Sequence, residues 1–111
     1  MIRSCDSDEA FRILLADSAR VPVFLMKHST RCGISARAHI EFERFAHAIG
    51  DAAECWQVPV LEERALSQAI ATETGVTHQS PQMLLFVNGQ VVWHTSHGNI
   101  TRAALEGALP K

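Results

Sequence analysis

The stretch that decides the fold is Lys27-His28-Ser29-Thr30-Arg31-Cys32-Gly33-Ile34-Ser35. A continuous apolar run at residues 21–26, rich in β-branched and aromatic side chains, precedes it and predicts a central strand. After it, apolar residues recur at helical spacing over residues 34–49. The loop between the two therefore delivers Cys32 to the first turn of a helix. Unpaired backbone N–H groups and the helix dipole favour an anion there, and the thiolate is the nucleophilic form of cysteine.

The motif holds one thiol. Three positions after Cys32, where a dithiol redox enzyme carries its second cysteine, the chain has Ser35. The Ser35 hydroxyl has two interpretations: it bonds the thiolate, or it satisfies the first turn of the helix, and the second is favoured. Although the net charge of the chain is −2, four residues near Cys32 in the sequence are potentially positive. These charges either favour the thiolate and attract an anionic thiol, or they are ordinary solvated charges of the surface. The residues concerned are Lys27, His28, Arg31 and Arg37.

Length and composition predict a single domain over residues 1–111, with enough apolar content (47%) for a packed core. The charge balance gives no basic footprint for nucleic acid. No apolar stretch approaches the roughly 18 residues of a membrane span, and the first residues lack the apolar core of a signal peptide. Three widely spaced cysteines do not form a disulfide framework. We therefore expect a cytoplasmic protein without nucleic-acid or membrane partners.

The predicted element order is α-β-α-β-α-β-β-α, which gives an α/β fold with a mixed sheet of about four strands flanked by helices. Asp6 and Glu9 have the spacing of a capping box before a first helix over residues 7–17. Pro59 predicts that the second strand lies at an edge. Asn88-Gly89 predicts a hairpin, and Asn99 or Thr101 caps the last helix.

The remaining cysteines and histidines have plain interpretations. Cys5 is an incidental thiol and Cys55 a small buried apolar residue. His39 and His47 are expected on a helix surface. Four metal-binding side chains could meet at one end of the sheet, but their spacing matches no zinc pattern, so no metal is predicted. They are His28, Cys32, His78 and His97.

This arrangement resembles the thioredoxin fold, in which a strand leads to a cysteine at a helix start and a cis proline precedes a later strand. The corresponding bond here is Ser80-Pro81. Within that superfamily the chain resembles the monothiol bacilliredoxin family over nearly its whole length. The segments that carry this resemblance are residues 27–32 followed by Ile34-Ser35, Glu63-Arg64, residues 78–82, residues 87–89 with Trp93, and residues 96–100.

The resemblance implies removal of bacillithiol, or another low-molecular-weight thiol, from S-thiolated cytoplasmic proteins. Cys32 corresponds to the cysteine that takes the small thiol, which is a co-substrate; no other cofactor is implied. Arg31, Gly33 and Ser35 would contact the thiol. The backbone at Ser80, before Pro81, would hold the bound thiol or peptide in an extended conformation.

One departure from the family leaves alternatives open. The family motif has proline after the cysteine, and this chain has Gly33. The motif Cys32-Gly33-Ile34-Ser35 is one residue from the Cys-Gly-Phe-Ser motif of monothiol glutaredoxins, which bind iron–sulfur clusters, but their Gly-Gly-Asp signature is not visible after Trp93. An iron–sulfur cluster-binding module and a non-catalytic thioredoxin-like adaptor are therefore the alternative functions.

Overall fold

The structure is a computed structural model that describes residues 1–110. Over this range the chain forms five strands and four α-helices. Their bounds are β1 Ile2–Ser4, α1 Asp8–Asp17, β2 Val23–His28, α2 Gly33–Ile49, β3 Glu54–Pro59, α3 Arg64–Thr74, β4 Gln82–Val87, β5 Gln90–Ser96 and α4 Arg102–Ala108. Short 3₁₀ turns follow α2 at Gly50–Ala52 and β5 at His97–Asn99.

All five strands form one sheet in the order β1-β3-β2-β4-β5. The first three of these are parallel, whereas β4 runs antiparallel to β2 and β5 antiparallel to β4. The predicted mixed α/β architecture is confirmed, and the additional strand is β1, whose three residues are too few to show a period. The prediction that β3 lies at an edge was wrong, because β3 pairs with strands on both sides. Pro59 is its last residue, where a missing N–H interrupts little of the ladder.

Helices cover both faces of the sheet, so each face has its own core. Alternate residues of β2 point to opposite faces: Phe24 and Met26 pack against α2 and α4, whereas Val23 and Leu25 pack on the side of α1 and α3. By the same alternation, Lys27 belongs to the side of α3 and His28 to the side of α2. Both continue β2 beyond the predicted end at residue 26.

The predicted element ends are largely correct, with local corrections. Ser7, not Asp6, caps α1, since the Ser7 Oγ accepts a hydrogen bond of 3.0 Å from the N–H of Ala10. Thr101, one of the two candidates, caps α4 through a 3.1 Å bond from the N–H of Ala104. The hairpin at Asn88-Gly89 is confirmed: both residues have positive φ, 52° and 77°.

No helix in the described range is both long enough and apolar enough to span a membrane.

Candidate active site

Two loops meet at one end of the sheet. Lys27 near the end of β2 pairs with Gln82 at the start of β4, so the loop that leaves β2 and the loop that enters β4 share this edge. The first loop carries Cys32 and the second carries Ser80-Pro81, whose peptide bond is cis, as predicted. The N–H of His97, after β5, donates to the Pro81 carbonyl at 3.0 Å and adds a third segment to the site.

Cys32 is the N-cap residue of α2. Its backbone is extended (φ −114°, ψ 124°), and its carbonyl accepts the first helical bond, 2.9 Å from the N–H of Ala36. The Cys32 side chain makes no capping hydrogen bond, and the first turn of α2 contains no acidic residue. The side chain is partly exposed. A reachable thiol therefore lies at the positive end of a 17-residue helix.

Ser35 is fully buried and holds the loop before Cys32. Its Oγ accepts a 2.9 Å hydrogen bond from the N–H of Ser29 and lies 2.7 Å from Nδ1 of His28, to which the hydroxyl can donate. The sequence analysis considered that Ser35 bonds the thiolate or satisfies the first turn of α2, and neither interpretation described this role. The cap of the helix is Cys32, and the Ser35 hydroxyl is bonded to the preceding loop. Ser35 therefore positions the loop, and the structure does not present its side chain to a substrate.

Of the four residues considered as positive charges near Cys32, only Arg31 and Arg37 can act in that way. Lys27 is completely buried on the α3 side of the sheet. Burial and the nearby charge of His39 lower the pKa of His28, so that its ring is neutral at physiological pH. Arg31 and Arg37 are exposed. Any cationic contribution near the thiol thus comes from these two arginines and from the helix N-terminus.

His39 does not lie free on the helix surface, contrary to the prediction. Its ring stacks on that of His28 with a centroid distance of 4.5 Å, and its Nε2 lies 2.7 Å from Oε1 of Gln57. The sequence carries no signal for this contact, which depends on β2 extending as far as His28. His47 is exposed, as predicted.

A groove of about 500 Å³ begins immediately after Cys32. The α2 wall contains Gly33, Ile34, Arg37 and, farther along, the acidic Glu41, whereas the turn at His97 and Gly98 forms part of the other wall. Ile34, expected in the buried stripe of α2, is 51% exposed and faces this groove instead. A side chain at Gly33 would meet no atom within 4 Å, so the entrance is open.

The other two cysteines lie in the core. Cys5 is 0% and Cys55 3% exposed, which confirms the buried interpretation of Cys55. Burial raises the pKa of each thiol to about 12. Neither is therefore available as a thiolate at neutral pH.

The four side chains considered for a metal do not assemble. His28 bonds to Ser35, and His78 bonds to Lys27 on the opposite face of the sheet. Within residues 1–110 no group of three or more histidine, cysteine or acidic side chains is arranged to bind a metal ion.

Comparison with known proteins gives concordant matches. The family described as "Monothiol bacilliredoxin BrxC" matches residues 3–105. A solved structure described as a candidate oxidoreductase with a thioredoxin fold has 36% sequence identity and a TM-score of 0.87, with 96% of this chain and 92% of that chain covered.

Two thioredoxins match in fold at lower identity. The protein from Malassezia sympodialis has 22% identity, a TM-score of 0.78 and coverage of 98% of this chain and 88% of its own. That from Fasciola hepatica has 17% identity, a TM-score of 0.76 and coverage of 97% and 96%. The predicted thioredoxin-like fold is confirmed.

Proposed function

The chain belongs to the monothiol bacilliredoxin family, and we propose that it uses Cys32 to remove bacillithiol from S-thiolated cytoplasmic proteins. As a thioredoxin-fold member of that family it is a thiol–disulfide oxidoreductase. The small thiol, the protein substrates, the cytoplasmic location and the role of Cys32 belong to the proposal.

The proposed reaction is two successive thiol–disulfide exchanges. The Cys32 thiolate attacks the small-thiol sulfur of the mixed disulfide, the sulfur–sulfur bond breaks, and the substrate cysteine leaves as a thiolate. Cys32 then carries the small thiol as a new mixed disulfide. A second small-thiol molecule attacks this bond, regenerates the Cys32 thiolate and leaves as the small-thiol disulfide. The second small-thiol molecule is therefore the reductant of the cycle: it is oxidised to the disulfide, and the substrate cysteine is reduced to the thiol.

The observation that carries this proposal is the contrast between the three thiols. Cys32 is partly exposed at the start of α2, whereas Cys5 and Cys55 are buried with a raised pKa. Because Ser35 replaces a second motif cysteine and its hydroxyl is bonded to the loop, no neighbouring thiol of the motif can release the bound small thiol. This arrangement supports a monothiol cycle.

The groove that begins at Gly33, the residue after Cys32, offers contacts for the small thiol. Arg37 at its wall is exposed, and Ile34 offers an apolar surface next to it. Bacillithiol carries carboxylates on its malate, which an arginine side chain can bind. Arg31 and Gly33, the sequence neighbours of Cys32, would contact the bound thiol, and the Ser80 backbone before Pro81 would pair with an extended substrate.

The test uses a substrate protein that carries bacillithiol on a single cysteine. Loss of bacillithiol from this substrate is measured by its intact mass after incubation with the protein and free bacillithiol. Wild-type protein should release the modification, and Cys32→Ser should abolish release. Cys55→Ala, which removes a buried thiol, is the matched control and should retain release. Equal activity of Cys32→Ser and wild type would support the adaptor alternative, and an iron–sulfur absorption band lost in Cys32→Ser would support the cluster alternative.

A further inference from the structure

A chain of hydrogen bonds joins the end of β2 to the backbone of Cys32. Nδ1 of the His28 ring lies 2.7 Å from the Oγ of Ser35, and this oxygen accepts a 2.9 Å bond from the N–H of Ser29. The carbonyl of Ser29 in turn accepts a hydrogen bond of 3.4 Å from the N–H of Cys32. Through Ser35 and Ser29, the His28 ring is therefore connected to the residue that carries the reactive thiol.

The direction of these bonds identifies the form of the His28 ring. Ser35 is 0% exposed, so its hydroxyl hydrogen needs a partner within the protein. The Ser35 oxygen already accepts from Ser29, and Nδ1 of His28 is the acceptor that lies within reach of the hydroxyl. The hydroxyl therefore donates to Nδ1, and the neutral ring carries its hydrogen on Nε2. A charged ring would carry a hydrogen on both nitrogens and could not accept this bond.

The surroundings of His28 favour the neutral ring. Burial lowers its pKa, and the charge of His39 on α2, whose ring stacks on it at a centroid distance of 4.5 Å, lowers the pKa further. Two carboxylates act in the opposite direction, Glu43 on α2 and Glu62 after the end of β3, but the net shift is downward. Lys27, the neighbour of His28 in β2, lies on the opposite face of the sheet. The Nδ1 acceptor is therefore retained at physiological pH.

We propose that His28 is a positioning residue for Cys32: its neutral ring accepts the Ser35 hydroxyl, and this bond fixes the loop that presents the thiol. Cys32 is the N-cap residue of α2, so the position of its thiol depends on the backbone of that loop. Protonation of His28 turns the acceptor into a donor and leaves the buried Ser35 hydroxyl without a partner. The loop then loosens, and the thiol leaves the place where the helix N-terminus favours the thiolate. This inference rests on the proposed role of Cys32 as the reactive cysteine.

The first test compares wild type with His28→Asn and His28→Phe. The amide oxygen of asparagine can replace Nδ1 as the acceptor and does not titrate, whereas phenylalanine keeps a flat ring against His39 and accepts nothing. At pH 7 the rate of Cys32 alkylation by iodoacetamide should fall about five-fold in His28→Phe and stay within about two-fold of wild type in His28→Asn. His47→Phe, which replaces an exposed histidine of α2, is the matched control and should keep the wild-type rate. A wild-type rate in His28→Phe would overturn the proposal.

The pH profile separates this role from a merely structural one. Loss of thiolate at low pH slows alkylation in wild type and His28→Asn alike, so it cancels in the ratio of their rates. NMR of the ¹⁵N-labelled full chain gives the pH at which the His28 ring is half protonated. One pH unit below this midpoint about nine-tenths of the rings are charged, and the ratio of wild-type to His28→Asn rates should be at least about three-fold lower than at pH 7.

Two other outcomes of this profile would overturn the proposal. A ratio that stays constant through the NMR midpoint would show that the protonation state of His28 does not matter to Cys32. A ratio that rises as His28 becomes charged would show that the ring acts on the thiolate through its charge and not through the Nδ1 acceptor.

A double variant tests the path through Ser35. If His28 acts by way of the Ser35 hydroxyl, His28→Phe/Ser35→Ala should be alkylated no more slowly than Ser35→Ala alone, whereas effects that multiply would overturn this path. Alkylation by iodoacetamide needs no small thiol. Its failure to depend on His28 would therefore leave the proposed removal of bacillithiol standing, and a failure to remove bacillithiol would leave the positioning role of His28 standing.

Discussion

Replacing Lys27 with methionine tests the buried amine directly, because it removes the charge and keeps an unbranched side chain. Burial lowers the pKa of Lys27 from its ordinary 10.5 to about 8. Between these two pH values the unfolded chain holds a proton that the folded chain has lost. The unfolded state therefore binds more protons there, and the Lys27 contribution to stability becomes more favourable as pH rises.

The magnitude follows from the two pKa values. At pH 7 both states are protonated, and burial of the charge costs about 3 kcal/mol. At pH 9.5 most of the folded protein has lost the proton, and the cost falls to about 1.4 kcal/mol. The free energy of unfolding of Lys27→Met minus that of wild type should therefore shrink by about 2 kcal/mol between pH 7 and pH 9.5. Lys27→Met also loses the hydrogen bonds to Ser67 and His78, and this loss offsets part of the stability gained by removing the buried charge at both pH values.

Urea denaturation of both proteins at the two pH values, in phosphate-free buffer of constant ionic strength, measures this difference. Burial also raises the pKa of Cys5 and Cys55 to about 12. Ionisation of these thiols in the unfolded state lowers stability above about pH 9. Both proteins contain the two thiols, so their effect cancels in the difference. A difference that stays constant from pH 7 to pH 9.5 would refute the reasoning.

Three further outcomes are expected. Cys32 should be alkylated first at neutral pH, ahead of Cys5 and Cys55, as followed by peptide mass spectrometry. Faster alkylation of either buried thiol would contradict the assignment of Cys32 as the reactive cysteine. Ser35→Ala should lower the free energy of unfolding by about 1–3 kcal/mol, because the buried hydroxyl bonds the preceding loop, and an unchanged urea midpoint rejects that role. Gly89→Ala, at φ +77°, should cost about 1–2 kcal/mol, and equal stability argues against the hairpin conformation.

Much of the fold could be predicted because its signals are long or chemically specific. The period over α2 spans 17 residues, and Asn88-Gly89 has few conformations other than a hairpin turn. The position of Cys32 followed from the order of strand, loop and helix, which needs no tertiary information. The location of Ser80-Pro81 at the same end of the sheet came from the family resemblance.

The errors arose where tertiary pairing overrides local pattern. The apolar run ends at Met26, but backbone pairing with β3 extends β2 to His28 and buries Lys27. This extension brings His28 to Ser35 and His39, so the roles of all three depend on two residues of strand that hydropathy does not reveal.

The central claim is that a single thiol, Cys32, takes one small-thiol molecule and keeps it until a second molecule arrives. The most direct test is the intact mass of the protein after treatment with bacillithiol disulfide, followed by peptide mapping. We predict one bacillithiol adduct, located on Cys32, with Cys5 and Cys55 unmodified. An internal disulfide between Cys32 and either of the other cysteines as the main product, or an adduct on Cys5 or Cys55, would contradict the monothiol mechanism.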